Sequence, residues 1–143
     1  MKKVFFIVCT MLFSVGVFAD PNEKVLKSFK ETFANAEEVK WQEYDNYFTV
    51  SFVTGDIRSK VNYDKDGNML GSIRYYKPQQ LPLNLFTRLK KEFPKKSLFG
   101  VTEITTASNE VAYYVKMEDV KHWVTVKVDE SGNCTVYEKY KKG

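Results

Sequence analysis

The chain has 143 residues, a formal net charge of +4, and a composition that is 43% hydrophobic and 15% aromatic. These values are typical of one globular domain. Its one histidine and two cysteines are too few for most metal sites, histidine-based catalytic triads or disulfide frameworks. Phe and Tyr are abundant, with 11 and 9 copies, and such side chains bury area or contact partners. We therefore expect binding rather than catalysis, and we predict no cofactor.

The N-terminal segment has the pattern of a secretory signal peptide. Lys2 and Lys3 precede an uncharged run over residues 4–18, which is followed by Ala19 and Asp20. A basic start, an apolar centre and a small residue at the cleavage site are the parts of such a signal. A transmembrane anchor is the lesser alternative, because the run is short, weakly hydrophobic and without a basic stop-transfer flank. We predict cleavage after Ala19 and a periplasmic or secreted protein with no stable membrane insertion.

Cleavage at this site changes both the charge and the number of thiols. Residues 20–143 carry 20 basic and 18 acidic residues, a net charge of +2. So small a surplus in an exported protein argues against nucleic acid as the partner. Cys134 is then the one cysteine left, so we expect no intramolecular disulfide and a fold held by its apolar core.

The chain contains an internal repeat. A turn pattern of Asp, Gly and Asn at 64–68 recurs 65 residues later at 129–133, and apolar strand residues recur at the same offset. An amphipathic helix pattern precedes the strands in both halves. Because helix, strands and turn recur in one order, we predict a single domain over 20–143, built of two repeats at about 20–78 and 79–143.

Each repeat is predicted to be one helix followed by four strands. Apolar residues at helical spacing, with a proline near each start, predict helices at 25–33 and 85–93. Alternation of apolar and polar residues between short turns predicts strands at 37–44, 46–54, 56–64, 68–76, 99–107, 110–118, 121–129 and 133–141. The fold class is therefore α+β, with an antiparallel sheet and helices packed on one face.

The alternation also assigns the two faces of the strands. Phe48, Val50 and Phe52 are expected beneath the helices, and so are Met69 and Ile73. The opposite parity brings aromatic and cationic side chains to an open sheet surface, and such residues dominate binding hot spots. Cross-strand aromatic pairs that stabilise a solvated sheet are the alternative explanation. We predict as partner-binding residues Tyr47, Arg58, Arg74, Tyr76, Tyr114, Lys116, Trp123 and Tyr137.

Three further patterns have structural explanations. The segment 64–68 resembles the start of a calcium loop, but Gly67 stands at the fourth position instead of the sixth, so a hairpin turn is favoured. His122 lies on the core-facing parity and is expected to be a packed histidine. Cys134 lies on the same parity and is expected to be a small buried side chain.

The order of motifs resembles a known family. After the predicted signal come Phe33-Ala34-Asn35-Ala36, Val39-Lys40-Trp41, the stretch from Tyr63 to Leu70, and Leu81-Pro82 before the second helix. This order is similar to that of bacterial PepSY-like proteins, which also resemble the beta-lactamase-inhibitory protein (BLIP). The resemblance implies an exported, non-enzymatic protein with a continuous curved sheet. The name-giving inhibitor clamps a hydrolase with its concave sheet face, and PepSY domains restrain secreted peptidases, but no inhibitory loop of that inhibitor is matched here.

Three functions follow as hypotheses. The leading one is a non-enzymatic periplasmic or secreted module that binds a protein or peptide through the open aromatic and basic face, with inhibition of a hydrolase or peptidase as one outcome. The first alternative is an envelope protein that binds a small molecule or glycan, because Trp and Tyr rings also stack on sugars. The second is a small hydrolase that uses His122, and a carboxylate converging on His122 in a deep pocket would favour it.

Overall fold

The computed structural model describes residues 20–143, so the predicted signal peptide lies outside the described residues. In chain order the elements are α1 (Glu23–Thr32), β1 (Glu37–Glu43), β2 (Tyr47–Thr54), β3 (Ile57–Asp64), β4 (Met69–Tyr76), a 3-10 turn (Pro78–Gln80), α2 (Leu83–Glu92), β5 (Ser97–Thr106), β6 (Val111–Glu118), β7 (His122–Val128) and β8 (Cys134–Lys141). A helix followed by four strands thus occurs twice, at limits close to those predicted. Neither α1 nor α2, the α-helices of the described part, has the length and apolar character needed to cross a bilayer.

The strands form one sheet. All eight are hydrogen-bonded in sequence order, each antiparallel to its neighbour, with β1 and β8 at the edges. The pairing of β4 with β5 joins the first four strands to the last four, with Gly71 opposite Thr106 and Tyr76 opposite Val101. This architecture confirms the predicted α+β class with an antiparallel sheet.

Both helices cover the same face of the sheet. Residues directly opposite each other on paired strands point to the same side. One such row runs from Ser59 through Arg74, Glu103 and Tyr113 to Val128. Its first and last members are buried on the side of α1 and α2 respectively. The opposite side of the sheet therefore has no helix over it within residues 20–143.

The first core forms between α1 and strands β1 to β3. Asn22 caps α1, since its side-chain oxygen accepts a hydrogen bond from the Val25 amide at 3.1 Å. The side chains of Val25 and Phe29 are buried against the sheet. The Phe29 ring packs edge-on against Trp41 and Phe52, with ring centroids 5.2 Å apart in both pairs. Such edge-to-face contacts add to the free energy gained by burying the rings.

The second core repeats this arrangement beneath α2. Leu85 and Leu89 are buried against Val115, Met117 and Val126, each of which is almost fully inaccessible to solvent. Leu89 and Met117 are among the largest fully buried side chains of the described region. The two cores therefore lie side by side on one sheet, each beneath its own helix.

The two Asp-Gly-Asn segments are hairpin turns, as predicted. One carboxylate oxygen of Asp64 accepts hydrogen bonds from the Asp66 and Asn68 amides at 2.9 Å each. The bonds from Asn68 hold the pKa of Asp64 below its usual value. Gly67 has φ +86°, in the region that favours glycine. In the second half, Asp129 accepts hydrogen bonds from the backbone amide and the side-chain amide of Asn133.

Candidate functional site

The open face is the side of the sheet opposite the helices. Strand pairing places one row of its residues across five strands. The members of this central row are Arg58, Tyr75, Thr102, Tyr114 and Lys127. Tyr75 has 49% of its surface accessible, which is high for an aromatic residue in the middle of a sheet. Thr102 is at the centre of the row, a tyrosine lies on either side of it, and a cation stands at each end.

Six of the eight predicted binding residues lie on the open face. The strand pairings and ring contacts place these six there. They are Tyr47, Arg58, Tyr114, Lys116, Trp123 and Tyr137. Tyr47 stacks on Tyr44 at the β1–β2 hairpin, with centroids 4.6 Å apart and planes 12° from parallel. The placement of these six matches the sequence pattern, and their role in binding stays a prediction.

Arg74 and Tyr76 lie on the opposite face, so their predicted exposure on the open face is wrong. The cause is a bulge in β4: Tyr63 pairs with Met69, whereas the preceding Asn62 pairs with Gly71. One extra residue in a strand reverses the faces of all residues beyond it. Ile73, expected in the core, is for the same reason on the open face.

The two displaced residues form a polar cluster on the helix side of the sheet. Tyr76 is only 8% exposed, and its hydroxyl donates to a Glu103 carboxylate oxygen at 2.5 Å. The Arg74 guanidinium donates to the other oxygen of Glu103 at 3.1 Å. Burial, and then the bond to Glu103, raise the pKa of Tyr76 far above its usual value. The cluster joins β4 to β5, where the two halves of the sheet meet.

Sequence reasoning missed several residues of the open face. Tyr75 and Ile73 were overlooked because of the bulge, although a glycine inside a strand pattern, here Gly71, is a known sign of one. Tyr140 lies opposite Trp123 and is 59% exposed. It was missed because β8 has a bulge between Val136 and Glu138, which shifts its pairing with β7.

Aromatic rings and cations are in contact in the second half of the open face. Tyr114 and Tyr137 meet edge to face, with centroids 5.1 Å apart. The ammonium of Lys127 lies 5.9 Å from the centre of the Tyr114 ring. Tyr137 remains 59% exposed despite these contacts, and Tyr114 is half-buried. Each of the two tyrosines therefore packs against a neighbour on the open face.

Trp123 forms a second aromatic site near the C-terminal end. The Lys142 ammonium lies 5.4 Å from the centre of the Trp123 ring and bonds the Glu118 carboxylate at 2.7 Å. That bond holds the pKa of Glu118 below its usual value. Trp123 nevertheless keeps 48% of its surface accessible.

Two grooves cross the open face. The basic groove lies over β1 to β4 and has a volume of about 690 Å³; its walls include Lys40, Ser51, Arg58, Lys60 and Tyr75. The acidic groove lies over β5 to β7 and has a volume of about 390 Å³; its walls include Glu110, Tyr114, Lys127, Asp129 and Glu130. One tyrosine lines each of these two grooves. Phe52, the other aromatic residue in the lining of the basic groove, is buried in the first core.

His122 lies at the start of β7 on the helix-covered side, as expected. Its Nδ1 is 3.3 Å from a carboxylate oxygen of Asp119. The same oxygen accepts hydrogen bonds from the backbone amides of Lys121 and His122. The other oxygen accepts one from the Lys96 ammonium. The Asp119 carboxylate is thus already hydrogen-bonded within the β6–β7 turn. His122 lines neither groove of the open face.

The Asp119 turn makes a testable contribution to stability. The bond from Lys96, followed by the amides of the turn, holds the pKa of Asp119 far below its usual value. A lowered pKa in the folded state stabilises the protein fully above the unfolded pKa of about 4. The stabilisation then declines as pH falls from that value towards the lowered pKa of the folded state. We expect Asp119→Asn to destabilise the protein at pH 7 and to differ less from the unmutated protein at pH 3. Urea unfolding followed by tryptophan fluorescence measures this, with the exposed Glu110→Gln as control; an equal difference at both pH values would contradict the role of the charge.

Cys134 opens β8 and packs against the second core. It is half-buried rather than fully buried, and burial raises the pKa of its thiol. Within residues 20–143, His, Cys, Asp and Glu side chains form no group of three suited to a metal ion.

Comparison with known proteins identifies the fold. No family model and no curated protein matches the sequence. A BLIP-like protein from Bacteroides fragilis NCTC 9343 is similar in structure, with a TM-score of 0.64 and 17% identity over 89% of this chain and 92% of that chain. A protein from Bacteroides eggerthii DSM 20697, provisionally described as periplasmic, has a TM-score of 0.60 and 13% identity over 86% of this chain and 90% of that one. A DUF2874 family protein from Bacteroides ovatus ATCC 8483 has a TM-score of 0.60 and 14% identity over 86% and 89% of the two chains. The chain therefore has the fold of BLIP-like and DUF2874 family proteins, as the sequence resemblance implied.

Proposed function

We propose that the protein is a non-enzymatic binding module that holds a protein or peptide on its open face. The observation that carries this proposal is the central row, in which exposed Tyr75 and half-buried Tyr114 stand between Arg58 and Lys127. Within residues 20–143, no helix lies over this side of the sheet. Large aromatic side chains and arginine contribute most of the binding energy in protein interfaces.

Inhibition of a hydrolase or peptidase is the form of binding that we favour. The fold is that of a BLIP-like protein, and a broad sheet can occlude the entrance of an active site by covering it. In this proposal, burial of the aromatic rings provides affinity, while the cations set orientation and association rate. A catalytic role for the protein itself is not favoured, because the carboxylate beside His122 is already bonded within a turn.

We place the mature protein in the periplasm or outside the cell. The signal-peptide pattern of residues 1–19 supports this location, and one structural neighbour carries a provisional periplasmic description. We also propose that the two units of helix and four strands are a tandem repeat. The 65-residue offset of the turn pattern supports a duplication.

Photo-cross-linking from single positions tests the binding proposal. A benzoylphenylalanine placed at Tyr75 or Tyr114 is expected to give a discrete protein adduct in cells that naturally produce the protein. The same probe at Leu83, which is 78% exposed on α2, serves as a control away from the open face and is expected to give none.

Affinity for the captured protein provides the quantitative measurement. We expect Tyr75→Ala with Tyr114→Ala to weaken binding at least about 10-fold, because two hot-spot residues are removed, while Leu83→Ala changes it less than about 2-fold. Equal adducts from all three positions, or equal affinities for all variants, would overturn the assignment of the face.

A further inference from the structure

We infer that the basic groove holds an acidic segment of the protein partner, an inference that rests on the proposed function. The groove is shaped by side chains that share the open face of three neighbouring strands. Lys40 on β1 and Lys60 on β3 stand on either side of Ser51, which is directly opposite both. At strand spacing, the two lysine backbones are about 10 Å apart. A small hydroxyl side chain between two ammonium groups leaves room for an incoming carboxylate.

Arg58 extends this positive surface along β3. It is two residues from Lys60 on the same strand face, about 7 Å away along the backbone, and directly opposite Tyr75. Arginine binds carboxylates with two parallel hydrogen bonds, so it gives direction to an acidic ligand as well as charge. Tyr75 and Val53 provide an apolar wall beside it.

The three cations of the basic groove have no ion-pair partner among residues 20–143. Elsewhere in the protein, Arg74, Lys96 and Lys142 are each paired with a carboxylate. Glu38 is the one acidic residue lining the basic groove. Like charges gathered on one face of a sheet repel each other, and a bound carboxylate relieves that repulsion.

The acidic groove shows that this positive charge is local. Glu110, Asp129 and Glu130 line it, against the single cation Lys127. The two grooves of the open face therefore have opposite charge, although residues 20–143 carry a net charge of only +2. Complementary charge fixes the orientation of a partner more than it fixes affinity. An acidic segment is thus directed to the end of the face over β1 to β4.

A pair of matched peptides tests this assignment. The probes are fluorescein-labelled Glu-Glu-Phe-Glu-Glu and its Gln-Gln-Phe-Gln-Gln counterpart, titrated with the full protein and followed by fluorescence anisotropy. Arg58→Gln with Lys60→Gln removes two charges from the basic groove. Lys90→Gln with Lys91→Gln removes the same charge from exposed positions on α2 and controls for net charge.

We expect the acidic peptide to bind at least about 10-fold more tightly than the glutamine peptide. The groove variant should weaken its binding about 10-fold and the α2 variant less than about 2-fold, since exposed distant charges are screened by salt. Equal weakening by both variants, absence of binding, or stronger competition by trigalacturonate than by unlabelled acidic peptide would overturn the inference. Circular dichroism of each variant checks that it is folded.

The two proposals fail in different ways. If the acidic peptide does not bind while Tyr75 and Tyr114 still give a protein adduct, the basic groove is not an acidic-segment site and the proposed function stands. If neither position gives an adduct, the proposed function fails whatever the peptide does.

Discussion

Replacing Gly67 with alanine is expected to destabilise the protein by about 3 kcal/mol, from two separate effects. Gly67 has φ +86°, where a side chain costs about 1–2 kcal/mol. A Cβ atom there would also lie 2.8 Å from the Lys24 carbonyl oxygen and 2.7 Å from the Ser28 hydroxyl. Overpacking of this kind typically costs about 1–3 kcal/mol, because backbone cannot move aside as a flexible side chain can.

The position of this turn explains the close approach. The Asn22 side chain donates to the Lys65 carbonyl at 2.9 Å, and the Lys24 ammonium bonds Asp66 at 3.1 Å. The β3–β4 hairpin is therefore pressed against the first turns of α1. Loss of the close fit at Gly67 would loosen α1 over the first core.

Gly55→Ala is the matched control. Gly55 also has a positive φ, +59°, but no atom lies within 4 Å of a Cβ built there. We expect it to cost only the conformational part, about 1 kcal/mol. Urea unfolding followed by tryptophan fluorescence gives both values, and equal losses for the two variants would show that the hairpin does not press on α1.

Local patterns predict most of this fold. The period of two in β2 and β6, the helical spacing on α1 and α2, and the Asp-Gly-Asn turns each depend on residues close in sequence. Their predictions therefore agree with the structure to within about two residues. The pairing of β4 with β5 is different, because the 3-10 turn and α2 separate these strands along the chain. No local pattern specifies that the two groups of strands share one sheet.

The open face was predicted correctly only as far as the strands are regular. Arg58, Tyr114 and Trp123 lie where alternation places them, since no bulge interrupts β3, β6 or β7 before them. Beyond Leu70 the parity is reversed, and two residues predicted to bind a partner are instead part of the polar cluster around Glu103. Alternation cannot detect a bulge, because the extra residue is defined by the pairing of two strands rather than by one.

Removing the carboxylate of that cluster is the second large effect that we expect. Glu103→Ala should destabilise the protein by about 2–3 kcal/mol, since it leaves the buried Tyr76 hydroxyl without its acceptor and Arg74 without its ion pair. The Glu103 side chain is only 13% exposed, whereas that of Arg74 is 39% exposed. Water can therefore replace Glu103 as the partner of Arg74. Most of the lost stability comes from the unpaired Tyr76 hydroxyl and from the cavity left by the Glu103 side chain.

Glu103→Gln removes the charge of the side chain but keeps its shape. It keeps one acceptor for the Tyr76 hydroxyl and most of the side-chain volume, so we expect a loss of about 1 kcal/mol. Tyr76→Phe in the Glu103→Ala background removes the unpaired hydroxyl and should recover part of the stability, because a buried polar group without a partner no longer has to be accommodated.

In the proposed function, the cluster also connects stability to binding. Arg74 and Glu103 are next in sequence to Tyr75 and Thr102, whose side chains belong to the central row on the other face. A weakened β4–β5 junction is expected to change the alignment of Tyr75 with Tyr114, and so to reduce partner affinity in Glu103→Ala without touching the open face. Unchanged affinity together with the full loss of stability would show that the alignment of the two tyrosines does not depend on this cluster.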